Sequence, residues 1–403
     1  MAEHFTYHSK NSTTMKCKLT TLTPCHIGSG NTLLRNIDFV INGEEVGVIS
    51  PQKIYDQMGN SGIDKWCQAI ERGENIWSVV RTQNRNAQFK DICSNVLDLN
   101  GNGGNELKEQ IKTNGTPYIP GTSLKGAMVS AIIGSAIHSN EEAMPFLVAS
   151  RRETIDRRTG NRKIRYSDKV GEQLFIKPTI SSRGEKYDPK YSNLRFLRVG
   201  DACFDDYTLT AIECYSLNLR ERKSIIDKGS CTLVESINFE SESEVDIQLM
   251  TKYHQECGNI VAPLPEAMQS EENLLSAINA HTLRMLRAEL VFWQEQQNRD
   301  YYHIDTDEEQ EELEDYYLDT IKSMISECNA CCSGKEAVLR VGYGSGWRFM
   351  TGRWFDESNE MWGDIIYFIR GNTRDKYKQY DFPKTRRVGL GIPFGFVKIS
   401  KIG

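Results

Sequence analysis

The sequence predicts an α+β protein with two domains. At 403 residues, the chain exceeds the length at which a single hydrophobic core is usual, so two domains of about 200 residues each are expected. Segments with strand character and segments with helix character follow one another in both halves, which is typical of this class. The boundary is expected between residues 198 and 199, so that the domains span 1–198 and 199–403.

The first half is predicted to contain an inserted segment. Residues 50–115 are polar, have helix character and close with the glycine- and asparagine-rich stretch 100–105, so we expect a mostly helical insertion. After Pro120 and Gly121, small and apolar residues predict a helix over 124–137. Strands are predicted at 14–23, 37–49, 173–180 and 196–204.

The second half is predicted to repeat the alternation of strands and helices. A stripe of apolar residues predicts a helix over 271–297, and a second helix from Glu311 to about Cys328 precedes a glycine-rich loop at 342–346. Strands are predicted at 209–217, 232–240, 244–249 and 391–399. This order suits two ferredoxin-like (RRM-type) domains, and periodicity alone is compatible with other α+β arrangements.

Composition indicates a cytoplasmic protein with reduced thiols. The hydrophobic content is 39%, and no apolar run approaches the 18 residues that would indicate a membrane span. The first residues lack the basic and apolar regions of a signal peptide. Eleven cysteines, an odd number scattered through a long chain, do not suggest a disulfide framework.

The net charge of −6 is unusual for a nucleic-acid-binding protein, but the charge is unevenly distributed. Residues 305–315 contain eight acids and no base, so the remainder of the chain has a net charge of +2. Residues 151–165 contain seven bases against two acids around a turn-like Thr159-Gly160-Asn161. This segment predicts a basic hairpin or loop that could follow a phosphate backbone, and the alternative is a solvated loop with no partner.

The segment 117–128 has the features of a phosphate-binding helix start. Thr122 or Ser123 can cap the helix, and Lys125 adds a positive charge one turn later. The order Lys125-Gly126 differs from that of a nucleotide-binding P-loop, so this kind of nucleotide binding is disfavoured. The alternative is an ordinary capped helix packed on a sheet.

Two glycine-rich segments and a basic segment accompany this helix. An alternating strand is broken by Pro24 and closed by a glycine turn after His26, while Gly-x-Gly-x-Gly at 342–346 is followed by aromatic residues and arginines. Alternating aromatics and arginines can stack on bases and hold phosphates, or can form a half-buried strand. Lys384, Arg386 and Arg387 precede the last predicted strand.

Together and in this order, these segments resemble the RAMP superfamily of CRISPR proteins. The resemblance rests on "TPCHIGSG" at 23–30, "IPGTSLKGA" at 119–127, the glycine-rich loop and "PKTRR" at 383–387. Within the superfamily, the combination is similar to the subunit that caps the CRISPR RNA (crRNA) at its 3′ side in type III-A (Csm) effector complexes. The resemblance implies a non-catalytic subunit, with crRNA, the backbone RAMP subunit, the small helical subunit and, through the assembled complex, target RNA as partners.

The residues and the resemblance together indicate a set of RNA contacts. The predicted contacts are His26, Ser29, Ser123, Lys125, Arg151, Arg152, Arg157, Arg158, Gly342, Gly344, Gly346, Trp347, Arg348, Lys384, Arg386 and Arg387.

An enzymatic alternative uses His26. A histidine near neutral pH can deprotonate a 2′-hydroxyl, and some RAMP endonucleases that process crRNA use a histidine in this region. A subunit of the related type III-B (Cmr) complexes is a further alternative. No metal or cofactor is expected, because Cys328-x-x-Cys331 supplies half of a zinc-site spacing and no second Cys-x-x-Cys exists.

Overall fold

The structure is a computed structural model that describes residues 13–138, 151–155, 160, 162–166, 174–182, 184–205, 208–218, 232–297, 308–350 and 385–402. It is a mixed fold of strands and helices. The strands are β1 (Thr13–Thr21), β2 (Gly28–Leu34), β3 (Phe39–Asn42), β4 (Glu45–Ile49), β5 (Cys93–Asn100), β6 (Glu106–Gln110), β7 (Lys112–Thr113), β8 (Thr116–Ile119), β9 (Arg151–Ile155), β10 (Arg162–Tyr166), β11 (Ile176–Ser181), β12 (Gly184–Ser192), β13 (Leu197–Val199), β14 (Ala202–Cys203), β15 (Leu209–Asn218), β16 (Thr232–Ile237), β17 (Glu242–Leu249), β18 (Glu336–Arg340), β19 (Thr385–Gly389), β20 (Ile392–Pro393) and β21 (Phe396–Lys401). The helices are α1 (Pro51–Met58), α2 (Ile63–Glu71), α3 (Ile76–Gln83), α4 (Gly121–His138), α5 (Thr251–Cys257), α6 (Glu271–Gln297), α7 (Glu308–Ala330) and α8 (Gly346–Met350).

One five-stranded sheet has the order β13-β17-β1-β21-β18, and all of its neighbouring strands are antiparallel. On β1, Met15, Cys17 and Leu19 are buried while Lys16 and Lys18 are exposed, so one face of the sheet is covered. The apolar sides of α4 and α6 pack on this face. The elements β1, α4, β13, β17, α6 and β21 follow the strand–helix–strand–strand–helix–strand order of a ferredoxin-like unit.

The second large sheet has nine strands and mixed directions. Its main path is β2-β6-β16-β15-β5-β4-β3, with β19 paired to β15 and β20 paired to β19. Both large sheets take strands from either side of residues 198 and 199. The predicted boundary therefore does not separate the sheets, and the division into two ferredoxin-like domains stays a prediction.

The prediction of a mostly helical segment over 50–115 is wrong in its second part. Helices α1 to α3 lie within 51–83, where Ile54, Ile76 and Val80 pack with Val40 of β3. The following residues form β5 and β6, which pair in parallel with β15 and β16 in the nine-stranded sheet. Alternating burial along β5, with Cys93 and Leu97 inside, is the strand signal that the polar composition obscured.

Helices α6 and α7 pack against each other and form a second core. Leu286 and Trp293 on α6 meet Tyr317 and Ile321 on α7, and Phe396 of β21 closes the cluster. Among the described residues, no helix is long and apolar enough to cross a membrane.

Candidate functional site

Three segments that lie far apart in the sequence meet at one open cavity of about 800 Å³. They are the turn after His26, the first turns of α4 and the loop between β18 and α8. All three are candidate binding segments by their sequence, and the structure brings them together. The described lining residues are His26, Ile27, Gly28, Gly30, Asn31, Thr32, Lys108, Ser123, Gly126, Ala127, Ser130, Arg340, Val341, Gly342, Tyr343, Gly344, Ser345, Phe349 and Met350.

Buried polar groups of Gln110 and Glu235 hold the turn after β1 in place. The Ile27 N–H donates to the Gln110 side-chain oxygen at 2.8 Å, and His26 Nδ1 donates to the Glu235 carbonyl oxygen at 2.6 Å. His26 is 2% exposed, and its burial lowers the pKa of the imidazole to about 4. The ring is therefore neutral at pH 7, with the proton on Nδ1 and the lone pair on Nε2.

Ser29 lies at the exposed edge of this turn. Its hydroxyl donates to the Glu109 carboxylate at 2.9 Å, and the Asn31 side-chain amide donates to the same oxygen at 2.9 Å. Ser29 itself is outside the set of lining residues, whereas its neighbours Gly28 and Gly30 belong to it. The serine thus fixes the shape of the turn from the outside.

The start of α4 differs from the prediction. The helix begins at Gly121, and the Asp201 carboxylate, 80 residues away, accepts a hydrogen bond from the Gly121 N–H at 2.7 Å. Thr122 and Ser123 are therefore inside the helix, and the prediction that one of them is the cap is wrong. A side chain at Gly121 would collide with the carbonyl oxygens of Val199 and Gly200. Because a protein carboxylate already lies at the positive end of the helix, a phosphate is not needed there.

Helix α4 presents small residues to the cavity. Ser123, Gly126, Ala127 and Ser130 are three, four and seven positions apart, so they share one side of the helix. A Cβ added at Gly126 would meet no atom within 4 Å. This side of α4 is therefore flat and open, and it leaves the cavity wide enough for a ligand.

Lys125 points away from the cavity. Its ammonium group donates to the carbonyl oxygens of Leu194 at 2.8 Å and Leu197 at 2.7 Å. Burial and then the nearby charge of Arg198 lower the pKa of this amine. In this structure, the lysine joins α4 to the start of β13 and the turn before it, which corrects its predicted position beside a bound phosphate.

The glycine-rich loop 342–346 forms the wall opposite α4. Gly342 has φ +80°, and a side chain there would collide with the His26 carbonyl oxygen. The His26 carbonyl oxygen also accepts a hydrogen bond from the Tyr343 N–H at 2.9 Å. The rings of His26 and Tyr343 meet edge to face, with their centres 5.5 Å apart. The loop and the turn after β1 thus form one hydrogen-bonded unit, and glycine at 342 is required for their close approach.

Arg340 fixes the loop from the interior. Its Nη2 donates to the Gly344 carbonyl oxygen at 3.1 Å, and its Nε donates to the Phe394 carbonyl oxygen at 3.0 Å. The guanidinium group lies 4.9 Å from the ring centre of Phe349 and 4.7 Å from that of Phe396. The sequence did not indicate a role for Arg340, because nothing in the local pattern separates a buried arginine from an exposed one.

The segment after the loop is a short helix, so the alternative of a half-buried strand is wrong for residues 346–350. Gly346, with φ +74°, begins α8, and Trp347 is half-buried on it. The helix places Arg348 inward and Met350 at the mouth of the cavity.

Arg348 and Arg386, both predicted to bind RNA, are instead buried against Glu289 of α6. The Glu289 carboxylate is 1% exposed and accepts hydrogen bonds from Arg348 Nε at 2.8 Å and from Arg386 Nε and Nη2 at 2.5 and 2.9 Å. Trp293 and Tyr317 also donate to it. Burial alone raises the pKa of Glu289, but the charges of Arg386 and Arg348 together outweigh burial and hold this pKa well below its ordinary value. These arginines stabilise the fold, which corrects both predictions.

Arg387, the next residue on β19, and Lys108 of β6 lie near the cavity. Arg387 is exposed, and its guanidinium carbon is 5.8 Å from the ring centre of Tyr343. Lys108 of β6 lines the cavity, with its ammonium nitrogen 6.0 Å from the same ring centre. Sequence analysis missed Lys108, because its strand was assigned to the helical insertion. No acidic residue is found among the described lining residues, so the cavity favours an anionic ligand.

The remaining candidates are only partly described. Arg151 and Arg152 begin β9, which pairs with β10, so the predicted basic hairpin is confirmed at the level of the backbone. Arg157, Arg158 and Lys384 lie outside the described residues. Within the described ranges, no group of three or more histidine, cysteine or acidic side chains could hold a metal ion.

Comparison with known proteins gives a family for this fold and site. The model of the RAMP superfamily matches residues 18–349. A comparison with curated protein sequences finds no match.

Two solved structures share the fold over almost the whole chain. The crystal structure of T. onnurineus Csm5 is 20% identical with a TM-score of 0.63, and the match covers 94% of this chain and 99% of that one. A chain in the cryo-EM structure of a Csm–crRNA–target RNA ternary complex of a type III-A CRISPR-Cas system is 21% identical with a TM-score of 0.70, covering 96% of this chain and 100% of that one. The resemblance inferred from the glycine-rich segments is therefore confirmed, and the chain belongs to the RAMP superfamily.

Proposed function

We propose that this chain is a non-catalytic, crRNA-binding subunit of a cytoplasmic type III-A CRISPR effector complex, in which it caps the backbone filament at the 3′ side of the guide. The observation that supports RNA binding most strongly is the convergence of the three segments on one cavity whose described lining has cations and no acid. The shared fold with Csm5 and with a chain of a Csm–crRNA–target RNA complex supports the choice of complex. The proposed partners are crRNA, the backbone RAMP subunit, the small helical subunit and, through the complex, target RNA.

The cavity has the chemistry to hold a sugar-phosphate backbone. Lys108 and, at its edge, Arg387 supply positive charge, while Ser123 and Ser130 supply hydroxyl groups. Phosphate and sugar oxygens are the usual partners of such side chains in nucleic-acid complexes. Because these contacts do not distinguish bases, we expect binding to be similar for different guide sequences.

The surroundings of His26 favour binding over cleavage. Its pKa of about 4 makes the imidazole a weak base that carries no acidic proton for a leaving group at pH 7, and its Nδ1 is already used by the Glu235 carbonyl group. Cleavage at a 2′-hydroxyl needs a general base and a general acid. The other titratable side chains in the described lining are Lys108, Arg340 and Tyr343, and burial raises the pKa of Tyr343. We therefore propose a contact or positioning role for His26.

A capping role requires one surface that binds the neighbouring subunit and another that does not. Subunits that associate head to tail form an open filament unless a non-identical subunit ends it. The acidic segment at the start of α7 exposes Glu308, Glu311, Glu312 and Asp315. We propose that this surface faces outward, where its charge repels RNA and further subunits.

Gly126→Glu tests the cavity as the RNA site. The new side chain has space, because a Cβ at this position meets no atom within 4 Å. A carboxylate placed beside bound phosphates should weaken crRNA binding about tenfold. Gly126→Ala controls for the loss of glycine, and Ser323→Glu on an exposed side of α7 controls for the added charge. Equal crRNA affinity for wild type and Gly126→Glu would refute binding in this cavity.

Two further outcomes decide between the proposed function and its alternatives. A complex assembled without this chain should contain guides with heterogeneous 3′ ends and a variable number of backbone subunits, while unchanged ends and stoichiometry would refute the capping role. Cleavage of a repeat-containing RNA by the purified chain, lost in His26→Ala, would show the endoribonuclease instead.

A further inference from the structure

The helical part of the predicted insertion, α1 to α3 within residues 51–83, has a surface that is separate from the cavity. Two grooves of about 530 Å³ each lie along α2 and α3, and both are lined by Ser78 and Thr82. The two grooves adjoin at these residues, and we refer to them together as the channel. None of its described lining residues belongs to the cavity between α4 and the glycine-rich loop.

Basic residues from the segments of both helices line this channel. From α2 and the residue after it, the lining residues are Lys65, Gln68, Ala69 and Arg72. From α3 they are Trp77, Ser78, Val79, Arg81 and Thr82, and Arg85 follows beyond the end of the helix. The first set follows the i, i+3, i+4, i+7 pattern of one helix side, whereas Arg85 comes after Asn84, whose backbone is extended. With a rise of 1.5 Å per residue, the two cations of the first set lie about 10 Å apart along the axis. Lys65 and Arg72 are thus too far apart to share one small ion, and their separation suits an extended chain.

The channel is strongly basic and accessible. Lys65, Arg72, Arg81 and Arg85 are all exposed, and Glu74 is the single acid among the described lining residues. Glu74 approaches Arg72 at 3.7 Å, but both side chains are about half or more exposed to solvent. Such a pair adds little energy and is easily exchanged for a stronger anion.

Of the other lining residues, Asn42, Gln68, Asn75, Ser78 and Thr82 carry neutral hydrogen-bonding groups, and Ala69, Trp77 and Val79 are apolar. Asn75 caps α3 by accepting from the Trp77 N–H at 3.0 Å, and it also donates to the Ile41 carbonyl oxygen of β3 at 3.2 Å. Arg81 lies over the buried Trp77 ring at 5.8 Å. The channel is therefore part of a packed unit whose positions are set before a ligand binds.

We propose that this channel binds the sugar-phosphate backbone of single-stranded RNA. Arginine, lysine, serine, threonine, asparagine and glutamine are the side chains that contact phosphate and sugar, and they form most of the lining. A docking site for a folded protein would need an apolar centre, whereas Trp77 here is covered. The proposal rests on the proposed function only in that RNA is the ligand, and it adds a second contact region on the insertion.

The test compares paired variants of the full chain. Arg81→Gln with Arg85→Gln, and separately Lys65→Gln with Arg72→Gln, remove two charges each, while Lys16→Gln with Lys90→Gln removes two exposed charges outside the channel. Binding of a labelled uridine oligoribonucleotide is measured by fluorescence anisotropy at several salt concentrations. Each channel pair should weaken binding about three- to tenfold, and the slope of log affinity against log salt should decrease by about 1.4, or about 0.7 for each lost phosphate contact. The control pair should change the affinity less than twofold, an effect on the order of 0.4 kcal/mol.

The outcomes separate this proposal from the function of the cavity. If the channel pairs bind RNA as wild type does while Gly126→Glu weakens binding, the channel proposal is wrong and the cavity remains the RNA site. If the channel pairs weaken binding and Gly126→Glu has no effect, the channel stands and the cavity proposal fails. If RNA affinity is unchanged but the channel variants no longer assemble with the other subunits, the channel binds an acidic protein surface and the RNA proposal is refuted.

Discussion

Arg386 and Arg387 are neighbours on β19, yet they lie in two different regions of the molecule. Arg386 is buried with Arg348 against Glu289, while Arg387 is exposed near Tyr343 at the edge of the cavity. Successive side chains of a strand point to opposite faces, so one arginine stabilises the interior and the next is available for a ligand. The comparison shows that a basic segment in a sequence is not one functional unit when it forms a strand.

The largest expected effect is on the interior side of this comparison. Glu289→Ala leaves two buried guanidinium groups without their shared carboxylate, and the free energy of unfolding should fall by about 3–5 kcal/mol. The free energy of unfolding is measured by chemical denaturation. Glu311→Ala on the exposed side of α7 is the matched control and should change stability by less than about 0.5 kcal/mol. Similar values for both variants would mean that the cluster does not hold the interior together.

A smaller loss of stability is expected on the cavity side, at a glycine. Gly342→Ala forces a side chain into the left-handed region at φ +80° and against the His26 carbonyl oxygen, so we expect a loss of about 2–4 kcal/mol. Gly126→Ala is the matched control in the same cavity, since it sits in a helix with open space and should stabilise the fold by about 0.5–1 kcal/mol. Thermal unfolding of both variants with the same sign of change would contradict this account of the loop.

The third effect depends on pH and involves His26. The pKa is about 4 in the folded protein and 6.5 for an unperturbed histidine, so the unfolded chain binds the proton more readily. The stability from this group is complete above pH 6.5 and declines as pH falls toward 4, by about 1.4 kcal/mol per pH unit and about 3 kcal/mol in total. The difference in unfolding free energy between wild type and His26→Gln should therefore shrink over this range. A pH-independent difference would show that the histidine is not buried in its neutral form.

The smallest effect on stability is expected at the rim of the cavity. Lys108→Gln with Arg387→Gln should leave the unfolding free energy within about 0.5 kcal/mol of wild type. The same variant should weaken RNA binding about three- to tenfold and reduce its salt dependence by about 1.4 units, because two phosphate contacts are lost. A change that depends on guide sequence would mean that these side chains contact bases.

Local sequence signals predicted the position of the binding segments better than the roles of their residues. The helix at 121–138 was expected at 124–137, and the glycine-rich loop lies where it was predicted. The cap of this helix could not be predicted, because Asp201 reaches it through the tertiary fold. The same reason applies to Lys125, whose partners are carbonyl groups about 70 residues away.

The burial of Arg386 could have been predicted from the sequence. On β19, Val388 is buried and two positions after Arg386, so the alternation of a strand places both on the same face. A similar alternation along β5, where Leu97 and Leu99 are two positions apart, marks a strand in the segment that was predicted to be helical. Polar composition dominated that prediction, although the spacing of the apolar residues pointed to a sheet.

The place of β21 within the five-stranded sheet determines when this protein can finish folding during its synthesis. β21 lies between β1 and β18, and Cys17 pairs with Lys401 across nearly the whole sequence. The ribosome synthesises β1 long before β21. The backbone groups on one edge of β1 therefore lack their partner strand while the intervening residues are made. Pairings over such distances slow folding, and an open strand edge can pair with the wrong chain. The order of translation therefore allows this sheet to be completed only after all residues between β1 and β21 have been made.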